Sequence, residues 1–164
     1  IPLAEERAPD NEIILQALYI AAGFGQVAAS RASVSGAQGG CQAEIGVASA
    51  MAAAALTHIM GGTGEQCAHA FAIALGNLLG LVCDPVAGLV EIPCVKRNVI
   101  GAVNAVSAAD MALAGITSHI PADEVIDAMG EIGDAMPASL RETGQGGLAA
   151  TPTGRRIAES LPQG

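Results

Sequence analysis

The stretch from Val47 to Leu56 is mostly alanine, and nothing else in the sequence constrains the fold as tightly. Alanine is the best helix former and fills little space, so helices built from it approach closely before their side chains meet. The remaining residues add little bulk: tryptophan is absent and aromatic residues make up 2% of the chain. Hydrophobic residues are 51% and charged ones 14% of 164 positions, enough for one domain with a real core and too apolar for disorder. The expectation is an all-α fold, a compact bundle of alanine-rich helices in a single domain over residues 1–164. No run alternates apolar and polar residues with β-branched enrichment, so no strand is expected.

Glycine and proline set the element limits. Asp10 or Asn11 can cap a helix carrying Ile13, Ile14, Ala17, Leu18 and Ala21 at helical spacing. That helix should end near Gly23 or Gly25, after an irregular entry from Pro2 to Asp10. Residues 30–40 hold Ser30, Ser33, Ser35, Gly36, Gly39 and Gly40, which break helix and present backbone N–H groups. A long helix from about Ala43 should stop at Gly61 and Gly62. Thr63, with Gln66 in the capping-box position, should open its antiparallel partner, running to about Leu81. Pro85, Gly88 and Pro93 restrict residues 86–92 to a loop with a short helical turn. Two more helices are expected, from about Val95 to Ala114 and from Pro121 to about Met136, with Pro137 at the next helix start or a kink. From about residue 144 a glycine-rich tail should pack only where something holds it.

A net charge of -9 and a pI near 4.5 repel phosphate backbones and anionic membrane surfaces, so nucleic acid is not an expected partner. The segments 43–60 and 67–83 approach spanning length, but Glu44, His58, His69 and Asn77 interrupt or edge them and no basic cluster flanks them. Buried soluble helices explain the same pattern, against a small-residue membrane bundle, and no membrane is expected. The sequence shows neither a basic region before an apolar run nor an Arg-rich leader, which points to the cytoplasm.

Cysteine carries the most chemical information. With no export signal, disulfides are disfavoured, and Cys41, Cys67, Cys83 and Cys94 are left for metal, cluster or burial. Their separations of 26, 16 and 11 residues lack the two close pairs of a zinc ribbon. Cys67 lies inside a helix and reads as a small buried hydrophobe. Cys41 follows Gly39 and Gly40, Cys83 precedes Asp84 and Pro85, and Cys94 follows Pro93, so these three sit at element ends. On the residues alone, burial and ligation stay equally open for them. If they bound one 4Fe–4S cube, three of its four irons would be held and one left open, a Lewis acid for a hydroxyl leaving group without redox change.

Four stretches, SVSGAQGGCQAEIG at 33–46, LVCDPVAG at 81–88, PCVKRN at 93–98 and RETGQGGL at 141–148, closely resemble the iron–sulfur-dependent L-serine dehydratase α family. The resemblance runs from about Phe24 to the end, and GLAATPTG at 147–154 resembles the two-subunit type. It implies that Cys41, Cys83 and Cys94 are the cluster ligands and that Cys67 has no counterpart role. It implies conversion of L-serine to pyruvate and ammonia: substrate meets the open iron, a base removes the α-proton, hydroxide leaves, and the aminoacrylate tautomerises and hydrolyses. Pyridoxal phosphate is not implied, and Lys96, the only lysine, could balance cluster charge. The family's α chain is about twice this length, so the sequence is expected to be its C-terminal part, inactive by itself, with the base elsewhere. Expected partners are the remainder of the α chain, a β chain and further copies in a homo-oligomer.

The substrate carboxylate has candidate partners in Ser33, Ser35 and Gly36 before Cys41, and in Arg97 and Asn98 after Cys94. An ordinary serine turn and a solvated basic turn are the plainer alternatives. Asp84 and Glu44 lie near ligand cysteines, where a polyanionic cluster would favour their protonated forms as proton carriers, against capping or loop roles. His58, His69 and His119 share no motif with a nucleophile and read as packed or exposed side chains. A cluster-free helical scaffold or dimerisation domain of a larger enzyme is the alternative function.

Overall fold

A computed structural model of the chain describes Glu6 and residues 10–161. Apart from Glu6 and Asp10, the expected irregular entry lies outside the described residues. Seven α-helices appear among the described residues: α1 (Asn11–Arg31), α2 (Gly36–Gly39), α3 (Val47–Ile59), α4 (Gly64–Gly76), α5 (Cys94–Leu113), α6 (Ala122–Ala135) and α7 (Pro152–Ser160). A π-helical turn, Gln42–Gly46, leads into α3, and 3-10 turns occupy Val86–Gly88, Ala138–Leu140 and Gly147–Ala150. No strand forms among the described residues. The nearest approach to one is an isolated parallel bridge between Cys83 and Arg141.

Helix α3 is the central post, packed against α1, α4 and α5. Its inward face is Ala50, Ala53 and Ala54, all fully buried, and it meets Ala70 and Ala74 of α4 and Ala105, Ala108 and Ala112 of α5. Small side chains set the spacing here: a Cβ on Gly101 of α5 would sit 3.0 Å from Ile45 and 3.7 Å from the Ser49 side chain. The backbone approach is used chemically, since the Ser49 hydroxyl donates to the Gly101 carbonyl at 2.6 Å and accepts from Asn104 at 2.9 Å. The bulk that the alanines lack comes from a few larger side chains, Phe71 and Leu75 of α4 and Ile126 and Met129 of α6, all fully buried. Phe71 stacks on Phe24 of α1, ring centroids 4.6 Å apart.

Most termini fall where the sequence puts them. Asp10 caps α1 by accepting from the Glu12 amide at 2.9 Å. Gly61 turns the chain at φ 86°, and Thr63 and Gln66 close a reciprocal capping box at the start of α4. Pro121 precedes α6 and Pro137 precedes a 3-10 turn.

Two helix ends differ from expectation. Helix α1 does not stop at Gly23 or Gly25 but continues to Arg31. A glycine costs a helix about 1 kcal/mol, and tertiary contact outweighs it here: Gly25 lies against Met51 of α3, whose sulfur would stand 2.8 Å from any Cβ placed there. Helix α4 ends at Gly76 rather than near Leu81. The chain then turns through Gly80 at φ 83°, and buried Gln42 catches it, accepting from the Gly80 amide at 2.9 Å and donating to the Met129 carbonyl at 3.0 Å. The Gln42 backbone N–H donates to the Leu81 carbonyl at 2.9 Å. These bonds hold the π turn against the loop that carries Cys83.

The segments 43–60 and 67–83 hold the buried helices α3 and α4. By length and composition α1 is the one helix, among the described residues, long and apolar enough to cross a membrane. The glycine-rich end is held: α7 packs on the Val86–Gly88 turn, and the Leu148 amide donates to Asp84 at 2.7 Å.

Candidate functional site

The three end-of-element cysteines come together from three separate segments. Gly39 and Gly40 deliver Cys41, which opens the π turn and is fully buried. Gly40 needs to be glycine twice over, because φ is 75° and a Cβ would meet Met136 at 2.8 Å and the Leu81 carbonyl at 2.9 Å. Cys83 is pinned by its backbone: its N–H donates to the Leu140 carbonyl and its carbonyl accepts from the Glu142 N–H, both at 2.8 Å. Cys94 is the first residue of α5 and is half-buried. Cys67 lies apart from them in the core with Ala70 and Phe71.

The sulfurs feel one another. Burial pushes the Cys83 thiol up, and a hydrogen bond with Cys41 and the charges of Cys41, Glu142 and Cys94 push it further. Cys94 is also raised, first by burial and then by Cys41, while the Arg97 charge opposes the rise. Burial alone raises Cys67. Thiols in such a setting keep their protons until a cation replaces them. Among the described residues, no three His, Cys, Asp or Glu side chains converge on a point that would hold a single metal ion. A polynuclear cluster binds its cysteines at separate corners, and three neighbouring sulfurs from three segments, two of them on one cavity, match that demand in number and type.

A cavity of about 240 Å³ is bordered by Cys83, Cys94, Glu44, Glu142 and Asn98; Cys41 does not line it but packs with Cys83 and Ile45. Gly36 closes in above it, since a Cβ there would lie 2.8 Å from Glu44, 3.3 Å from the Cys83 sulfur and 3.6 Å from Glu142. Of the other expected substrate contacts, Ser35 precedes Gly36 as the helix N-cap without a side-chain capping bond. Asn98 borders the cavity while its amide donates to the Cys94 carbonyl at 3.0 Å.

Two candidates are engaged within the chain. The Ser33 hydroxyl donates to Gln38 at 2.7 Å and accepts from the Ser35 amide at 3.0 Å, a local serine turn facing a different, larger groove of about 870 Å³. Arg97 does pair with a carboxylate, but with that of buried Asp84, at 2.6 Å. The positive charge nearest the sulfurs is that of Arg97, whereas Lys96 is exposed. His58 bonds to Gln16 at 3.1 Å, His69 stands 3.8 Å from Glu65, and His119 is exposed, and none of them lines the cavity of Cys83 and Cys94.

Glu142 is the residue that the sequence reading passed over. It has φ 64°, uncommon for a residue with a Cβ, and its own N–H and the Leu140 carbonyl are both tied to Cys83. The signal available was its place in the RETGQGGL motif, directly before a threonine and glycine that turn the chain.

The larger groove is rimmed by an exposed ion pair between Arg31 and Asp127, Nε to Oδ1 2.9 Å. The Arg31 hydrogen bond holds the Asp127 carboxyl below its ordinary value, so the pair stabilises the folded chain above about pH 4 and the benefit fades as pH falls through the lowered value. Melting temperatures of the parent and Asp127→Asn are expected to differ slightly at pH 7, converge in acid, and converge also in high salt.

A family model described as the serine dehydratase alpha chain matches residues 2–149. The probable L-serine dehydratase alpha chain of Bacillus subtilis is 65% identical over 157 residues, covering 96% of this chain and 52% of that one. The corresponding protein of Latilactobacillus sakei is 61% identical, covering 93% of this chain and 73% of its own. The L-serine dehydratase alpha chain of Peptoniphilus asaccharolyticus is 55% identical, covering 90% and 51%. The chain thus spans about half the length of two of these relatives.

Proposed function

The chain belongs to the serine dehydratase alpha chain family, and from that premise we propose that it is the cluster-bearing part of an enzyme converting L-serine to pyruvate and ammonia. The observation that carries the reading is the mutual approach of Cys41, Cys83 and Cys94, the last two on one cavity, while Cys67 lies apart in the core. These three would hold a 4Fe–4S cluster through their thiolates, with no fourth cysteine at hand. When bound, the cluster supplies a Lewis-acidic iron that makes the substrate hydroxyl a better leaving group.

The rest of the chemistry falls to side chains. A cavity of about 240 Å³ suits a molecule of serine's size. Glu44 and Glu142 offer two carboxylates to its ammonium group, and Asn98 and the Ser35–Gly36 segment offer donors to its carboxylate. Gly36 keeps the approach to Cys83 open, which any larger residue would fill. The group that removes the α-proton is assigned to the part of the relatives' length that this chain does not span. That remainder, a β chain and a second copy are the partners this reading requires, with the cytoplasm as its compartment and no pyridoxal phosphate.

The test is anaerobic reconstitution with iron and sulfide, read as iron per chain and charge-transfer absorbance, for the parent and the four Cys→Ser variants. Cys41→Ser, Cys83→Ser and Cys94→Ser are expected to lose the cluster, and Cys67→Ser to keep it. A parent that takes up no iron would leave the cluster-free scaffold as the better reading.

A further inference from the structure

All three ligand-bearing segments meet at one guanidinium. Arg97 stands on the first turn of α5, three residues after Cys94. Its Nη1 donates to the Val82 carbonyl at 2.8 Å and to Asp84 Oδ1 at 2.6 Å, the two residues on either side of Cys83. The same nitrogen lies 3.8 Å from the Cys41 sulfur. One side chain therefore touches the first cysteine, both flanks of the second, and the helix turn that carries the third.

Its surroundings suit a fixed part better than a substrate contact. The Arg97 side chain is 18% exposed and that of Asp84 3%, and Arg97 does not border the cavity that Cys83 and Cys94 share. Asp84 is held in turn by the Leu148 amide at 2.7 Å, so the guanidinium is locked from behind. The two N–H groups of Nη1 serve the Val82 carbonyl and the Asp84 carboxylate directly and reach the Cys41 sulfur at longer range. The planar, permanently charged guanidinium holds that nitrogen in a fixed orientation, as a flexible ammonium does not.

We propose that Arg97 is a positioning residue for the cluster: it sets the three sulfurs relative to one another and directs an N–H and a positive charge at Cys41. The inference rests on the cluster reading above. Hydrogen bonds to a ligand sulfur and nearby positive charge both raise a cluster's reduction potential and steady its thiolates.

The experiment uses this chain, reconstituted anaerobically, as the parent, Arg97→Gln, Arg97→Lys and the exposed neighbour Lys96→Gln. Iron per chain, the midpoint potential followed by electron paramagnetic resonance, and the half-life of the cluster band in air are measured on each. Arg97→Gln is expected to shift the potential downward and to shorten the half-life roughly 10-fold or more, within the range for removing a partner of a metal ligand. Arg97→Lys, which keeps the charge and the Asp84 pair, is expected to retain the fold by circular dichroism and the potential in part, yet lose the cluster faster than the parent. It therefore carries the test even where the glutamine variant does not fold. Lys96→Gln should match the parent. Unchanged potential and half-life in a folded Arg97 variant with full iron would overturn the proposal, and if such a variant lost only the spectral response to added L-serine, Arg97 would return to a substrate role. A parent that binds no iron removes the cluster reading itself, a failure visible before any Arg97 variant is compared.

Discussion

Phe71→Ala is expected to lower the stability of the chain by about 3–5 kcal/mol, a large fraction of a small domain's margin. The side chain is fully buried, stacks on Phe24 at 4.6 Å, and joins α4 to α1 in an alanine-rich core. Its removal leaves a cavity that the alanines of the cluster cannot close, because their methyl groups have no rotamers to swing inward. Urea denaturation should show the midpoint falling with little change in slope, and Phe71→Leu should lose markedly less. A loss below about 1 kcal/mol for the alanine variant would mean that the helices collapse onto the space and that the bundle is more plastic than its packing implies.

Asp84→Ala is the second large effect. Its carboxylate takes one hydrogen bond from Arg97 and one from the Leu148 amide, with 3% of the side chain exposed. Truncation strands a largely buried guanidinium and an amide together, and breaking a buried pair in this way typically costs about 3–5 kcal/mol. The loss should be felt unequally along the chain. Hydrogen exchange is expected to accelerate first in the Gly147–Ala150 turn and α7, which depend on that carboxylate, while α3 and α4 keep their protection until global unfolding. If α7 exchanged no faster in the variant, Asp84 would not be what holds the end of the chain in place. Gly147 explains why the carboxylate can come so near: any Cβ there would collide with Asp84, and its φ of 57° suits glycine.

The features that were legible in the sequence are those set by local chemistry. Asp10, the Gly61–Gly62 stop, the Thr63 and Gln66 box and Pro121 mark helix ends through bonds made within a few residues. The motifs around Cys41, Cys83 and Cys94 were visible, and so was the contrast with Cys67. The misread ends are those decided at long range. Gly25 stays helical because Met51 is opposite it, and α4 stops at Gly76 because Gln42 receives the chain at Gly80 and Leu81. The π turn had no signal of its own, since its cause is Gln42 reaching Met129 and Gly80 at once. Arg97 was recognised as a carboxylate partner, yet only the folded chain identifies that carboxylate as Asp84. The backbone strain at Glu142 follows from its tie to Cys83, which no local pattern announces.

The alanine face of α3 leaves this bundle with an unusual evolutionary predicament. A leucine core can drift, one neighbour shrinking as another grows, because intermediate side chains exist at every step. From alanine both directions are poor. Glycine removes the only methyl group and loosens the helix, while valine, the next apolar residue up in size, forces two further methyl groups into a gap set by backbones in near contact. At Ala50, Ala53 and Ala54, each fully buried where α3 meets its neighbours, substitutions should come rarely and in concert with changes on the facing helix. The interval between helices that holds three sulfurs in register would thereby be protected by residues that never touch them.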